Sequence, residues 1–280
     1  MDALTAHDPA LATEALRDWP APRRRVFVLT GAGCSTASGI PDYRDESGGW
    51  KRAPPVTYQA FTGDDATRRR YWARSFAGWP RFADARPNAA HAALAGWESS
   101  GRLSLLLTQN VDGLHQRAGS DRVIDLHGRL DTVRCLACET TTPRYAMQRR
   151  LEQANPGWID TIAAFAPDGD ADLERTDFSG FDVPACDVCG GMLKPDVVFF
   201  GENVPRARFE AARDALATSD GLLVVGSSLM VYSGYRFARM ADEAGLPVAL
   251  LTRGATRADD LASLVLRADC TQVLPAALAP

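Results

Sequence analysis

Residues Val26 to Arg44, VFVLTGAGCSTASGIPDYR, constrain the fold more than any other stretch of the chain. The apolar, β-type run Val26 to Leu29 predicts a buried parallel strand. Gly31 and Gly33 follow where the backbone must turn tightly and can approach a pyrophosphate, whose charge the N-terminus of the next helix would stabilise. A plain strand-to-helix turn also uses glycine, so this loop alone leaves both readings open. The sequel departs from a standard dinucleotide fold, in which a second strand with an acidic ribose ligand arrives about 20 residues later. Here Lys51 to Gly63 is polar, contains prolines and has no strand pattern, so the loop runs into an insertion.

At 280 residues the chain suits one large domain with a small satellite. A net charge of -4 excludes nonspecific nucleic-acid binding as the main task, because neutralising phosphates requires a basic surface. The clusters Arg23 to Arg25 and Arg68 to Arg70 read as solvated faces. No apolar run approaches the roughly 18 residues of a membrane span. The leading segment carries Asp2, Asp8, Glu14 and Asp18 and resembles neither a secretory signal nor a transit peptide, which predicts a cytoplasmic protein. Asp8-Pro9 predicts an N-cap and first helical position, with Ala12, Ala15, Leu16 and Trp19 on one apolar face.

Cys135 and Cys138 form one C-x-x-C pair and Cys186 and Cys189 another, which together can give four thiolates to a tetrahedral zinc ion. The pairs stand farther apart than the 15 to 20 residues of a compact zinc ribbon, so Leu151 to Phe181 must be looped out between them. Its APDGDADLE portion, Ala166 to Glu174, is acidic and turn-like, with little β alternation. Four protein ligands leave no open coordination position, so such a metal is structural. Cys34 and Cys270 remain over and read as small buried hydrophobes.

Arg102 to Thr108 is a second apolar strand ending in Thr108-Gln109-Asn110-Val111-Asp112. Ligands of open α/β sheets sit at that edge, which makes Gln109, Asn110 and Asp112 candidate contacts, with helix capping by Asn110 or Asp112 the competing explanation. Val123 to Leu126 leads into His127-Gly128, a better setting for acid–base chemistry than a helix face. Gly221 to Val225 ends in Gly226-Ser227-Ser228, and Pro247 to Leu251 ends in Thr252-Arg253-Gly254. The recurring order of strand, polar turn and helix is that of a parallel sheet with its loops on one edge.

GAGCSTASGIPDYR, TQNVD, LHG, the two C-x-x-C pairs, KPDVVFFGE and GSSLMVYSG occur in this order. With them the chain resembles the sirtuins over nearly its whole length. RYWAR, APDGD and VYSGYRF make it most similar to class II, in particular the mitochondrial-type lipoamidase/ADP-ribosyltransferase sub-branch. The resemblance implies a Rossmann-like α/β fold whose parallel sheet carries helices on both faces. Residues 1-45, 86-130 and 195-280 would form the large NAD-binding domain, 46-85 a helical cofactor-loop module and 131-194 a zinc-binding module. Gly31, Ala32, Gly33, Ser35, Asp42, Tyr43 and Arg44 would enclose NAD, and Gln109, Asn110 and Asp112 would surround its nicotinamide and ribose. Gly226, Ser227 and Ser228 would meet the ribose and phosphate side, with Thr252, Arg253, Gly254 and Cys270 near the adenosine. Thr252 stands where relatives commonly have Asn, and Ser233 where many have Pro.

In the implied reaction an acyl-lysine oxygen attacks the ribose C1′ as nicotinamide leaves. His127 is then the general base for a ribose hydroxyl, with Asn110 and Asp112 completing the catalytic set. The expected products are nicotinamide, free lysine and O-acyl-ADP-ribose. The expected partners are acyl-lysine proteins or peptides, with no specific nucleic acid and no membrane. Val198 and Phe200 would bound the acyl-lysine stem, and the peptide would add as a strand between Gly201-Glu202 and the loop around Val231. Tyr71 and Arg74 form a Y-x-x-R similar to the pair with which acid-selective class II sirtuins bind a terminal carboxylate. An exposed basic helix with Tyr71 and Trp72 turned inward is the competing explanation. Two other functions remain open on the sequence: protein mono-ADP-ribosyl transfer, and noncatalytic NAD sensing or acyl-lysine reading.

Overall fold

The computed structural model of the chain describes residues 4–20, 22–42, 49, 51, 55–158, 164–165, 171–172 and 177–279. It divides into two compact units, Met1–Arg52 with Arg86–Leu126 and Val204–Pro280, and Ala53–Ala85 with His127–Asn203. Elements are numbered in chain order through both.

The first unit is built on seven parallel strands: β1 (Leu4–Ala6), β2 (Val26–Thr30), β3 (Leu103–Thr108), β4 (Val123–Asp125), β10 (Gly221–Val225), β11 (Val248–Leu251) and β12 (Leu264–Leu266). Their order in the sheet is β1-β12-β11-β10-β2-β3-β4, and every pairing is parallel. Parallel strands covered on both faces read as continuous apolar runs, and β2 and β10 are buried at all five positions.

Successive side chains enter two separate cores. Val26 and Val28 of β2, Leu223 and Val225 of β10, and Ala249 and Leu251 of β11 share one core with α1 (Pro9–Asp18), α4 (Ala89–Ser99) and α9 (Cys270–Ala277). Phe27 and Leu29, Leu222 and Val224, and Val248 and Leu250 face the other, with α7 (Arg206–Ala217) and α8 (Tyr232–Glu243). This is the doubly wound, Rossmann-like sheet expected from the sequence. A short helix, α5 (Leu114–Arg117), follows β3.

From β2 the chain builds outward to β3 and β4 on one side and returns to build β10, β11 and β12 on the other. The topological switch point therefore lies between β2 and β10, where open α/β sheets bind their ligands.

Two local expectations are corrected. No α-helix follows the glycine loop. Ala32–Cys34 and Thr36–Ser38 form two 3-10 turns, and the second ends at Gly39, whose φ of 84° is left-handed and cannot continue a helix. Within the looped-out segment, Ala164–Phe165 (β7) and Ala171–Asp172 (β8) pair as an antiparallel ladder where little β character was expected. The edge strand β1 gave no signal, since three residues carry too little pattern to be read.

The second unit has a three-stranded antiparallel sheet in the order β6 (Thr141–Pro143), β5 (Gly128–Cys135), β9 (Leu193–Val197). Its helices are α2 (Tyr58–Gly63), α3 (Asp65–Ala83) and α6 (Arg144–Ala154). Asp64 caps α3 by accepting from Thr67 N–H at 2.8 Å. No described helix is long and apolar enough to cross a membrane.

Candidate active site

At the switch point the two glycine loops pack backbone against backbone. Gly31 N donates to Val225 O at 3.0 Å and Gly33 N to Gly226 O at 2.8 Å. A Cβ on Gly33 would lie 2.9 Å from Gly226 O, and one on Gly31 2.7 Å from Ser227 Cβ. Gly226 is at φ 60°, and a Cβ there would meet Cys34 N at 2.4 Å. These glycines therefore let two loops touch, which is a structural demand that the pyrophosphate argument alone did not include.

Around that contact sits a polar cluster. Asn110 Nδ2 donates to Gly31 O and to Ser35 Oγ, both at 3.0 Å. Ser35 Oγ in turn donates to Asp112 Oδ2 at 2.7 Å. The other carboxylate oxygen, Oδ1, accepts from Leu114 N–H at 2.9 Å. One Asp112 oxygen thus bonds the first N–H of α5 while the other holds the Ser35 hydroxyl. Gln109 Nε2 donates to Ser227 Oγ at 2.7 Å, so its amide bridges the ends of β3 and β10. Ser227 Oγ also accepts from Leu229 N–H at 3.2 Å. Leu229 has a φ of 54°, a left-handed conformation that is rare for a branched side chain and is retained where the surroundings over-determine it.

The remaining sequence candidates of this unit lie around the same sheet edge. Asp42 pairs with Lys51 Nζ at 2.5 Å, and Cys270 Sγ lies 3.8 Å from Gly33 O. Ser228 O accepts from Arg257 N–H at 2.9 Å, and Thr252 N donates to Leu266 O at 3.0 Å. Arg253 pairs with Asp269, while Gly254 O accepts from Arg267 at 2.6 Å. Val231 precedes α8 as its N-cap. Tyr43 and Arg44 lie outside the described residues.

Sequence reasoning missed the layer beneath this cluster. Thr30 Oγ1 is 2.9 Å from both Thr108 Oγ1 and His115 Nε2. His91, read only as a helix residue, completes a capping box in which its Nδ1 accepts from Asn88 N–H at 3.3 Å. The Asn88-x-x-His91 spacing was the available signal. Burial lowers the His91 pKa to about 4; the His115 pKa is held well below the usual range by burial and then by His91.

In the second unit, His127 O accepts from Val198 N–H at 2.8 Å, and Phe200 O accepts from Tyr58 N–H at 2.9 Å. Gln59 Nε2 donates to Gly201 O at 3.0 Å. The backbone therefore brings His127, Val198, Phe200 and Gly201 into one neighbourhood. Beneath it Tyr71 is buried, with its ring 5.2 Å from Phe199 and 5.3 Å from Phe61. Arg74 is half-buried. Lys194, 4% exposed, lies 3.1 Å from Glu202 Oε2, and that same oxygen accepts from Phe199 N–H at 2.9 Å. Glu202 was expected only beside the added peptide strand, and Lys194 was not singled out from the sequence, although a lysine inside the KPDVV strand is the kind of buried charge that demands a partner.

The four paired cysteines converge. Their sulfurs all lie within 4.8 Å of one another, with Cys135 to Cys189 at 3.6 Å and Cys138 to Cys186 at 3.7 Å. A tetrahedron of sulfurs about 2.3 Å from zinc has edges of about 3.8 Å, so the donor set fits that ion. Backbone N–H groups of Cys138 and Ala137 lower the pKa of Cys135, and Thr140 brings that of Cys138 to about 6, which favours the thiolate form a metal needs. At Cys189 the Gly191 N–H pulls down, yet the neighbouring sulfurs push the thiol up to about 12, a repulsion that a divalent cation removes.

Residues 31–233 match the sequence profile of the Sir2 family. The chain belongs to the Sir2 family. It is 64% identical over 260 residues to an NAD-dependent protein deacetylase of Xanthomonas campestris pv. campestris (strain 8004), covering 93% of this chain and 89% of that protein. To NAD-dependent protein deacetylase 2 of Bradyrhizobium diazoefficiens it is 59% identical over 264 residues, 94% and 97% of the two chains. Among solved structures, a Sir2–p53 peptide–NAD+ complex matches with a TM-score of 0.73 at 30% identity, covering 93% of each chain. A Sir2 complex with deacetylated p53 peptide and 3'-O-acetyl-ADP-ribose matches at 0.76 and 30%, covering 94% and 96%. For this Sir2 family member, the glycine loops and the Ser35, Asn110 and Asp112 cluster stand at the sheet edge where a dinucleotide belongs.

Proposed function

We propose that the chain is an NAD-dependent protein lysine deacylase that yields nicotinamide, free lysine and O-acyl-ADP-ribose. The observation that carries this reading is the Asn110–Ser35–Asp112 network at the switch point, because a plain turn has no need of a carboxylate and an amide held on one hydroxyl. Gly31, Ala32, Gly33, Ser35, Gly226, Ser227 and Ser228 would hold NAD, with Thr252, Arg253, Gly254 and Cys270 on its adenosine side. When bound, NAD supplies a ribose carbon bearing a good leaving group. Asn110 and Asp112 would orient the ribose, and the His127 imidazole would take a proton from a ribose hydroxyl as general base. The division into an NAD-binding domain (1-45, 86-130 and 195-280), a cofactor-loop module (46-85) and a zinc module (131-194) belongs to the same reading. The zinc ion is structural, since four thiolates leave no open position.

Val198, Phe200 and Gly201 would bound the acyl-lysine segment, and the expected part of the loop around Val231 belongs to the same reading. Tyr71 packs on Phe199, which sits between Val198 and Phe200, and in the same reading the Tyr71–Arg74 pair would read the acyl group. A carboxylate-terminated acyl chain would pair with the Arg74 guanidinium, as the Y-x-x-R pair does in acid-selective class II sirtuins. A cytoplasmic location fits a metal site whose four thiols must stay reduced.

The test is mass spectrometry of the chain with NAD and an equimolar panel of acetyl-, succinyl-, glutaryl- and branched-acyl-lysine peptides. O-acyl-ADP-ribose is expected, with acidic acyl groups removed fastest and that preference lost in Arg74→Ala. ADP-ribosylated protein in place of O-acyl-ADP-ribose would make the chain a transferase to protein. Robust acetyl removal unchanged in Arg74→Ala would rule out the acidic preference alone.

A further inference from the structure

Beneath the Ser35 network, Cys34, His91 and His115 each offer one ligand atom, and the three atoms lie within 4.8 Å of one another. All three residues are buried, and the imidazole rings meet with centroids 4.7 Å apart. His115 Nε2 is engaged by Thr30 Oγ1, whereas its Nδ1 has no hydrogen-bond partner among the described residues. A buried ring nitrogen left unpaired is costly and calls for a ligand. The bonds at His91 are long: 3.3 Å from Asn88 N–H to Nδ1, and 3.5 Å between Nε2 and Ser35 Oγ.

We infer that Cys34, His91 and His115 bind one soft monovalent metal ion, Cu(I), in a three-coordinate site of one sulfur and two nitrogens. The donor set selects the ion. Zinc is almost always four-coordinate in a structural site, and with one thiolate it would leave a net positive charge among fully buried side chains. Cu(I) is favoured by thiolate and imidazole ligands, and with one thiolate it forms a neutral unit. Binding breaks the Cys34 S–H bond, forms the Cu–S bond and releases the proton to solvent. Coordination through His115 Nδ1 costs that ring no hydrogen bond. Coordination through His91 Nε2 moves its proton to Nδ1 and gives up both long bonds, the one from Asn88 N–H and the one with Ser35 Oγ. The site shares no residue with the four-cysteine centre, and Cys34 directly precedes Ser35, so occupancy is coupled to the network that holds Asn110 and Asp112.

The experiment equilibrates the zinc-loaded full chain anaerobically with one equivalent of Cu(I) against the chromogenic chelator bathocuproine disulfonate, then measures both metals after desalting. One copper per chain is expected beside undiminished zinc. X-ray absorption at the copper edge should report three ligands with mixed sulfur and imidazole scattering. Cys34→Ser and, separately, His115→Gln should weaken copper retention by about tenfold or more with zinc content unchanged. Copper held only in exchange for zinc, an all-sulfur copper shell, or no copper held against the chelator would overturn the assignment. The spectrum of the unsubstituted chain decides the matter even where a variant fails to fold.

Discussion

Ser35 Oγ donates to Asp112 Oδ2 across 2.7 Å while accepting from Asn110 Nδ2 at 3.0 Å, so one hydroxyl orders the two residues that the proposed chemistry needs at the ribose. Ser35→Ala would leave a carboxylate oxygen and an amide N–H without that partner. Losing such bonds costs about 1–3 kcal/mol, or roughly 5- to 150-fold in kcat/KM. Steady-state kinetics together with calorimetric NAD binding would measure it. Unchanged values for both would remove the hydroxyl from the site.

The contact between Gly226 and the Cys34 backbone predicts a stability defect. An alanine at residue 226 must tolerate a left-handed φ of 60° and a Cβ 2.4 Å from Cys34 N, with backbone as the obstacle. Gly226→Ala should destabilise the fold by about 2 kcal/mol or more in urea unfolding. A substitution at Gly119, whose φ of 100° carries the strain without any neighbour within 4 Å, serves as the control and should cost less.

His91 and His115 predict acid sensitivity in the copper-free chain. Burial lowers the His91 pKa to about 4, against an unfolded value of about 6.5, and lowers that of His115 as well. The unfolded state therefore binds more protons below pH 6.5. Stability from these groups is complete above that pH and declines as the pH falls toward 4. His91 alone should remove about 2 kcal/mol by pH 5. Urea midpoints at pH 7 and pH 5 would show the drop, and His91→Asn should flatten the profile.

The four cysteine sulfurs predict a fold that depends on metal. Stripping the ion with a chelator, or Cys135→Ser, should lower the melting temperature and the folded yield, with one zinc lost per chain. A zinc-free chain that melts and turns over like the loaded one would contradict a structural role.

The sequence made the first strand, its glycine turn and the two C-x-x-C pairs legible because each is a local pattern with a fixed chemical demand. Val26 to Leu29 could be read as buried, and the alternation that sends Phe27 to one core and Val28 to the other follows from the strand period. What could not be read was set by tertiary contact. The meeting of Gly31 and Gly33 with Gly226 and Ser227 joins distant segments, and it turns an expected helix start into two 3-10 turns. Cys34, His91 and His115 come from three different elements, so no spacing announces their convergence. Tyr71 is buried against Phe199, as its inward-facing reading required, while its part in acyl recognition rests on function and not on burial.

The central claim is that His127 moves a proton in an NAD-dependent deacylation. The most direct measurement compares the single-turnover rate of acyl-lysine cleavage in the unsubstituted chain and in His127→Ala, with NAD affinity measured on both. The variant should cleave about 10²- to 10⁴-fold more slowly with NAD affinity within a few-fold. Undiminished cleavage by a His127→Ala chain that still binds NAD would contradict it.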